Sequence, residues 1–347
     1  MPIDVNSLRS SVTGYAQTYK DVRARREETL RKLCDQSRKE ETHDFSQRPE
    51  PASYALIAVD GSQTMTDRHQ SLLYAYIQAA CVGWVRGAGS LFNLKKSCLL
   101  TEHDLLDADT GEPKPASWIA NQRSMLEIAL LVEAAEHARI EGYQPVLVAD
   151  GSIVPYDLLM GRLRDESRRE QIEQLEAALT RMSAQCDAWV CGYIDRPDAT
   201  TLVRKYAELL QLKHTAGIRD RDLMEKTLKP AHRTALIDPA WDINKALSKQ
   251  NKMLACYANF SWDEQHPIIA RIEVPAWCAD RIDDLCAILH TQVKLGRGYP
   301  LVLNAAHNQA VVSKADQRAI EQRLFQELIS QGIIPGASFK QAAKELG

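Results

Sequence analysis

One local phrase occurs twice in the chain and limits what it can fold into: a short apolar run that stops at Asp-Gly-Ser. Tyr54-Ala55-Leu56-Ile57-Ala58-Val59 leads into Asp60-Gly61-Ser62, and Pro145-Val146-Leu147-Val148-Ala149 leads into Asp150-Gly151-Ser152. Continuous apolar runs of that length, bounded by turn residues, suit strands buried on both faces. Each copy is therefore read as a core strand closed by a turn at its Asp-Gly. Between them, Trp118 to Glu141 carries Ile119, Met125, Leu126, Ala129, Leu130, Val132 and Ala135 with few breakers, and Gly142 stops it. That pattern predicts a long helix, and strand, helix, strand in sequence belongs to an α/β protein.

The remaining segments keep the alternation. Ser71 to Arg86 reads as one or two strands, Leu91 to Leu100 as another, and Ala188 to Ile194 as a third short apolar strand. Arg162 to Ser183, Thr200 to Leu212, Ile218 to Lys229, Ala279 to Gly296 and Lys314 to Gln331 read as helices. Met253 to Ser261 and Pro267 to Val274 read as paired strands, and Tyr299 to Ala306 as strand or loop. No repeat period appears, so the expected architecture is α/β with a mixed sheet flanked by helices. Ahead of it, Val5 to about Glu41 places Leu8, Val12, Tyr15, Tyr19, Val22, Leu30 and Leu33 at near-helical spacing. This predicts an amphipathic helical arm whose narrow stripe needs a partner surface, on its own domain or on a second subunit. His43 to Ser53, with Pro49 and Pro51, reads as a linker, giving an arm and linker over 1–50 and one domain over 51–347.

Charge and composition narrow the function classes. The chain has 347 residues, with 43 Lys plus Arg against 46 Asp plus Glu, a net charge of −3. A polybasic nucleic-acid coat is excluded by that balance, while a local basic groove is not. No apolar run approaches the roughly 18 residues of a membrane span, and Met1 to Lys20 lacks a signal-peptide pattern, so a soluble cytoplasmic protein is expected. The eight cysteines form no CxxC pair and read as reduced core residues.

The residue types at the repeated phrase point to chemistry. A strand end holds a carboxylate on a rigid element at the rim of a sheet, where open α/β folds bind ligands. Glu127 lies on the intervening helix among Met125, Leu126, Ile128 and Ala129, where an unpaired carboxylate is costly. A cation, a salt bridge to Arg123, or exposure would each resolve that cost. Ala306-His307 adds an imidazole near the C-terminus. Carboxylates suit Mg²⁺ or Mn²⁺, and the imidazole tilts the choice toward Mn²⁺. Arg86, Lys95 and Lys96 follow the first phrase, and Arg162, Arg164, Arg168 and Arg169 follow the second. Interleaved acids make both groups read as solvated surface before they read as a DNA groove.

The sequence resembles the NurA nucleases. The resemblance rests on Ala58-Val59-Asp60-Gly61-Ser62, the Glu127 helix leading to Val148-Ala149-Asp150-Gly151-Ser152, Gly192-Tyr193-Ile194-Asp195-Arg196-Pro197, and Gly298-Tyr299-Pro300-Leu301 with Ala306-His307. It implies an RNase H-like fold, a Mn²⁺-dependent DNA nuclease resecting ends 5′ to 3′, a homodimer, and a hexameric HerA translocase as partner. By the same resemblance Asp60, Glu127, Asp150 and His307 are metal ligands and Tyr299 is their tyrosine neighbour. Where some members carry a lysine after the third core strand, this chain has Asp195-Arg196, making Arg196 the candidate for the scissile phosphate. Two other readings stay open: a NurA-like docking partner that has lost catalysis, and a phosphotransferase on an RNase H-like fold. The second is weakened by the lack of a Gly-rich phosphate loop.

Overall fold

The computed structural model describes residues 5–65, 72–87, 89–161 and 165–333. Its strands are β1 Thr42–Asp44, β2 Ala55–Met65, β3 Ala75–Val85, β4 Gly89–Leu100, β5 Pro145–Asp150, β6 Trp189–Asp195, β7 His232–Thr234, β8 Met253–Asn259 and β9 Ile269–Pro275. Its helices are α1 Val5–Ser37, α2 Glu102–Leu105, α3 Ala116–Ile140, α4 Tyr156–Leu159, α5 Asp165–Ala184, α6 Thr201–Leu209, α7 Asp220–Thr227, α8 Ile282–Leu295, α9 Leu301–Ala310 and α10 Lys314–Ser330. The chain divides into two compact units. The larger comprises Pro49–Tyr193, Ala240–Leu254 and Glu273–Gly347; the smaller comprises Met1–Arg48, Ile194–Pro239 and Ala255–Ile272.

In the larger unit the strands run in the order β4-β3-β2-β5-β6. β3 is antiparallel to both β2 and β4, whereas β5 is parallel to β2 and β6. Three antiparallel strands continued by two parallel ones make the mixed, helix-flanked α/β sheet of an RNase H-like fold. The apolar runs supply its centre: Ala55, Ile57, Ala58, Val59, Val146, Leu147 and Val148 are fully buried. Each large aliphatic side chain so enclosed contributes about 1.5–3 kcal/mol. Helices α3 and α9 both pack on β2 and β3. Alternate residues of a strand point to opposite faces. Gly61 of β2 faces α3 and its neighbours Asp60 and Ser62 face α9, so these helices cover opposite faces.

Three expectations are corrected. The first Asp-Gly-Ser is not a turn: β2 continues through it to Met65, with Asp60 opposite Ala80, Gly61 opposite Ala79 and Ser62 opposite Gln78. The long antiparallel partner β3 supplies hydrogen bonds beyond the point where β5 stops, so the strand has no reason to end. The segment after Tyr299 is helical, because Pro300 sits at the N-cap and Val302, Leu303, Ala306 and Ala310 bury one face at helical spacing. Thr42–Asp44, expected as the end of the arm and the start of a linker, forms the short strand β1 paired with β7.

In the smaller unit β1, β7, β8 and β9 are successive neighbours. The C-terminal part of α1 is anchored there: Leu30, Leu33 and Cys34 pack with Leu202, Val203, Tyr206, Leu223 and Met224. Its N-terminal part leaves Val12, Tyr15, Tyr19 and Val22 exposed. Asp220 is buried and accepts the Leu202 and Val203 amides that open α6, together with the Tyr257 hydroxyl. All eight cysteines are free thiols; Cys98 is exposed and the other seven are buried, as a reduced core requires.

Candidate active site

Parallel pairing of β2 with β5 sets Val59 opposite Ala149, which brings Asp60 and Asp150 to the same level on adjacent strands. The backbones around them differ. Asp60 lies inside a paired strand, and its Oδ1 accepts the Gly61 amide at 2.7 Å. Asp150 ends β5, and Gly151 turns the chain at φ +93°, a conformation that favours glycine. The Gly151 amide is held by the Tyr193 carbonyl at 2.8 Å. Gly192 of β6 has no side chain to obstruct that turn; a Cβ there would lie 2.6 Å from the Gly151 carbonyl oxygen. Ser152 Oγ then donates to Glu273 at 2.6 Å and accepts the Val154 amide, pinning the segment after Asp150.

Helix α9 and the turn before it serve the two aspartates. His307 Nδ1 lies 2.7 Å from Asp60 Oδ2, with the imidazole more than half exposed and the carboxylate largely buried. The Tyr299 hydroxyl donates to Asp150 Oδ1 at 2.7 Å, and its ring meets Tyr193 edge-on with centroids 5.6 Å apart. Burial and the Asp150 carboxylate hold the Tyr299 phenol far above its ordinary pKa, so it stays a proton donor.

Glu127 reaches the same place from the opposite face, on α3. A Cβ on Gly61 would lie 2.1 Å from Glu127 Oε1 and 2.8 Å from Arg123 Cγ, so glycine there is what admits the glutamate. Arg123 Nε stands 3.0 Å from Glu127 Oε1 one helical turn away. The alignment is that of an ion pair and not of a hydrogen bond, and both atoms are buried without a hydrogen-bond partner. Of the solutions open for Glu127, the salt bridge is present. Burial, opposed by Arg123 and reinforced by the negative charges of Asp60 and Asp150, pushes the Glu127 carboxyl up to about 7.

The structure thus joins the expected residues in pairs: Asp60 with His307, Asp150 with Tyr299, and Glu127 with Arg123 and in the field of both aspartates. Among the described residues, no three acidic, histidine or cysteine side chains are close enough, as placed, to hold a metal ion together. The donor set nevertheless fits a divalent cation. Its carboxylate oxygens are hard ligands, three acids outnumber the one guanidinium paired with them, and the buried Glu127 Oε1 lacks a hydrogen bond. Arg196 belongs to the smaller unit, where it is exposed just past β6 with φ +43°. Of the basic groups, Lys96 pairs with Glu133, Arg86 with Glu50, and Arg169 with Glu173. Arg162 and Arg164 lie outside the described residues.

Two residues were not singled out by sequence. Glu273 is a lone acid in the apolar strand Ile269–Pro275, and that contrast was its signal. Gly61 reads as a turn former from sequence, and only the position of α3 reveals its use.

Residues 54–312 match the NurA domain. No curated protein sequence matches the chain. Among solved structures, the chain is similar to Ciona intestinalis endonuclease V in complex with an inosine-containing 23-mer DNA, at 11% identity over 85% of this chain and 95% of that one, TM-score 0.35. It is similar also to Drosophila Piwi, at 13% identity over 76% of this chain and 30% of that one, TM-score 0.34. Neither likeness is close enough to bear on what this chain does.

Proposed function

The chain belongs to the NurA family of nucleases, and from that premise we propose that it is a Mn²⁺-dependent DNA nuclease. It acts as a 5′ to 3′ exonuclease, with single-strand endonuclease action as a further capacity. Its setting is the resection of DNA ends in recombination repair, as a homodimer working with a HerA-type hexameric translocase. Mg²⁺ is the alternative ion. The observation that carries this reading is that Asp60 and Asp150 stand at the same level on adjacent strands, with Glu127 admitted across Gly61 into the field of both.

In this reading Asp60, Asp150, Glu127 and His307 hold the cation. When bound, it supplies an activated water and offsets the charge that develops on the phosphate. The chain's own groups do the positioning. Tyr299 keeps its proton and fixes Asp150 Oδ1, which orients that carboxylate. His307 is oriented through Nδ1 by Asp60, which leaves Nε2 of an exposed ring as the nitrogen that would hold the cation. Arg196 is assigned to the scissile phosphate, as an exposed guanidinium suited to bidentate contact.

One observation favours a second reading, a NurA-like docking partner without catalysis: the described donors are engaged in separate pairs. A single experiment separates the two. End-labelled duplex and single-stranded DNA are incubated with Mn²⁺, Mg²⁺ or EDTA, using the native chain and Asp60→Ala. Cleavage with Mn²⁺ that is lost in EDTA and in the variant supports the nuclease. Intact DNA under all conditions favours the docking partner, and cleavage retained by Asp60→Ala removes Asp60 from the site.

A further inference from the structure

We propose that Arg123 is a built-in counter-ion that a divalent cation must displace from Glu127. The inference rests on the nuclease reading for the kind of ion and on the structure for the competition. Arg123 is the basic residue in contact with Glu127, at 3.0 Å, and Glu127 also feels the Asp60 and Asp150 charges. Between Arg123 Nε and Glu127 Oε1 the contact lacks hydrogen-bond alignment, so these two buried atoms have lost water without gaining a directional partner. A carboxylate already satisfied by a well-aligned bidentate arginine would be a poor ligand; this one is not so satisfied. Gly61 leaves room for both side chains at the sheet, and the Arg123 side chain retains about a third of its exposure. It therefore has solvent to move into, whereas Glu127, 14% exposed, does not. The exchange breaks no covalent bond. The ion takes Glu127 Oε1, and the guanidinium is released beside the site with its charge free for an anionic oxygen, the chemistry a phosphodiester offers.

The test is direct binding of Mn²⁺, without DNA, by calorimetry on the full chain, for the native protein, Arg123→Gln, Arg123→Lys and Glu127→Gln. Removing a competing cation removes the fraction of sites closed to the ion, so Arg123→Gln should bind Mn²⁺ at least about tenfold more tightly than the native chain. Arg123→Lys should stay near the native affinity, and Glu127→Gln should bind weakly. Equal or weaker binding by Arg123→Gln overturns the proposal, as does no binding by any form. If Arg123→Gln does not fold, the native protein still decides. Its Arg123 Nε–H resonance, assigned by its loss in Arg123→Lys, should move on addition of Mg²⁺, and a resonance that stays in place at saturating ion overturns the exchange. Cleavage assays run alongside keep the two readings apart. Tighter ion binding without DNA cleavage by any form leaves the exchange standing and removes the nuclease; cleavage by the native chain with unchanged ion affinity in Arg123→Gln does the reverse.

Discussion

The two Asp-Gly-Ser phrases are identical in sequence and different in structure. In the first, glycine lies in a paired strand with ordinary backbone angles, and what matters is the missing side chain: the space belongs to Glu127. In the second, glycine lies just past a strand end at φ +93° with nothing within 4 Å of where a Cβ would be, and what matters is the backbone conformation. The serines diverge likewise. Ser62 Oγ accepts the Val312 amide at the end of α9, whereas Ser152 Oγ donates to the buried Glu273. A tripeptide thus specifies no geometry by itself; the strands paired beside it do. β2 continues because β3 accompanies it, and β5 stops where Gly151 takes the chain out of the sheet at φ +93°.

Substitutions at these positions should pull the two copies apart. Among the glycines and serines the largest effect belongs to Gly61→Ala, whose methyl would displace Glu127 from the site. Cleavage should fall on the order of 10²-fold or more, because misplacement of a reacting group by about an ångström is enough for that. The methyl also meets Arg123 Cγ and Cδ, so a lower melting temperature should accompany the loss of cleavage. Equal activity in Gly61→Ala and the native chain would break the contrast.

Next is the pH dependence that Glu127 imposes on the protein without metal. Its folded pKa of about 7 lies above the ordinary 4.5, so the folded state keeps this proton longer than the unfolded state does. Stability should therefore decline as pH rises from about 4.5 to about 7 and then level off, by on the order of 3 kcal/mol. Thermal melts in EDTA across that range should show the decline in the native chain and lose it in Glu127→Gln.

Gly151→Ala should lose stability by a different route from Gly61→Ala. Forcing an alanine into a left-handed backbone costs about 1–2 kcal/mol, visible as a lower denaturation midpoint, while the space around it is empty. The smallest contrast is between the serines. Ser152→Ala takes one hydrogen-bond donor from the buried Glu273 carboxylate and should cost about 1–3 kcal/mol, while Ser62→Ala should cost about 1 kcal/mol or less. Chemical denaturation of the two variants measures both, and equal costs would make the Glu273 contact dispensable.

Much of this was legible beforehand. Ile57 and Val148 sit in apolar runs too continuous to be anything but buried strand, and Glu127 among aliphatic neighbours announced a carboxylate in need of a partner, of which Arg123 is the one present. The α/β mixed sheet flanked by helices follows from those runs and the helix between them, and its RNase H-like character from the family resemblance. What could not be read was whatever depends on a distant partner. Asp60-Gly61-Ser62 has turn composition, and its extension to Met65 is set by β3. Leu301 to Ala310 has no acid in its first turn to announce a helix, and its start is fixed by Pro300. Glu273 owes its use to Ser152, 121 positions away.

If Asp60 and Asp150 serve one centre, their losses cannot add. The deciding measurement is the single-turnover rate of Mn²⁺-dependent cleavage of end-labelled DNA by Asp60→Asn, Asp150→Asn and the double variant. Each single substitution should reduce the rate on the order of 10³-fold or more, and the double variant should be no slower than the worse single one. Losses that multiply in the double variant, or a single variant that cleaves like the native chain, would show that the two aspartates do not form one centre.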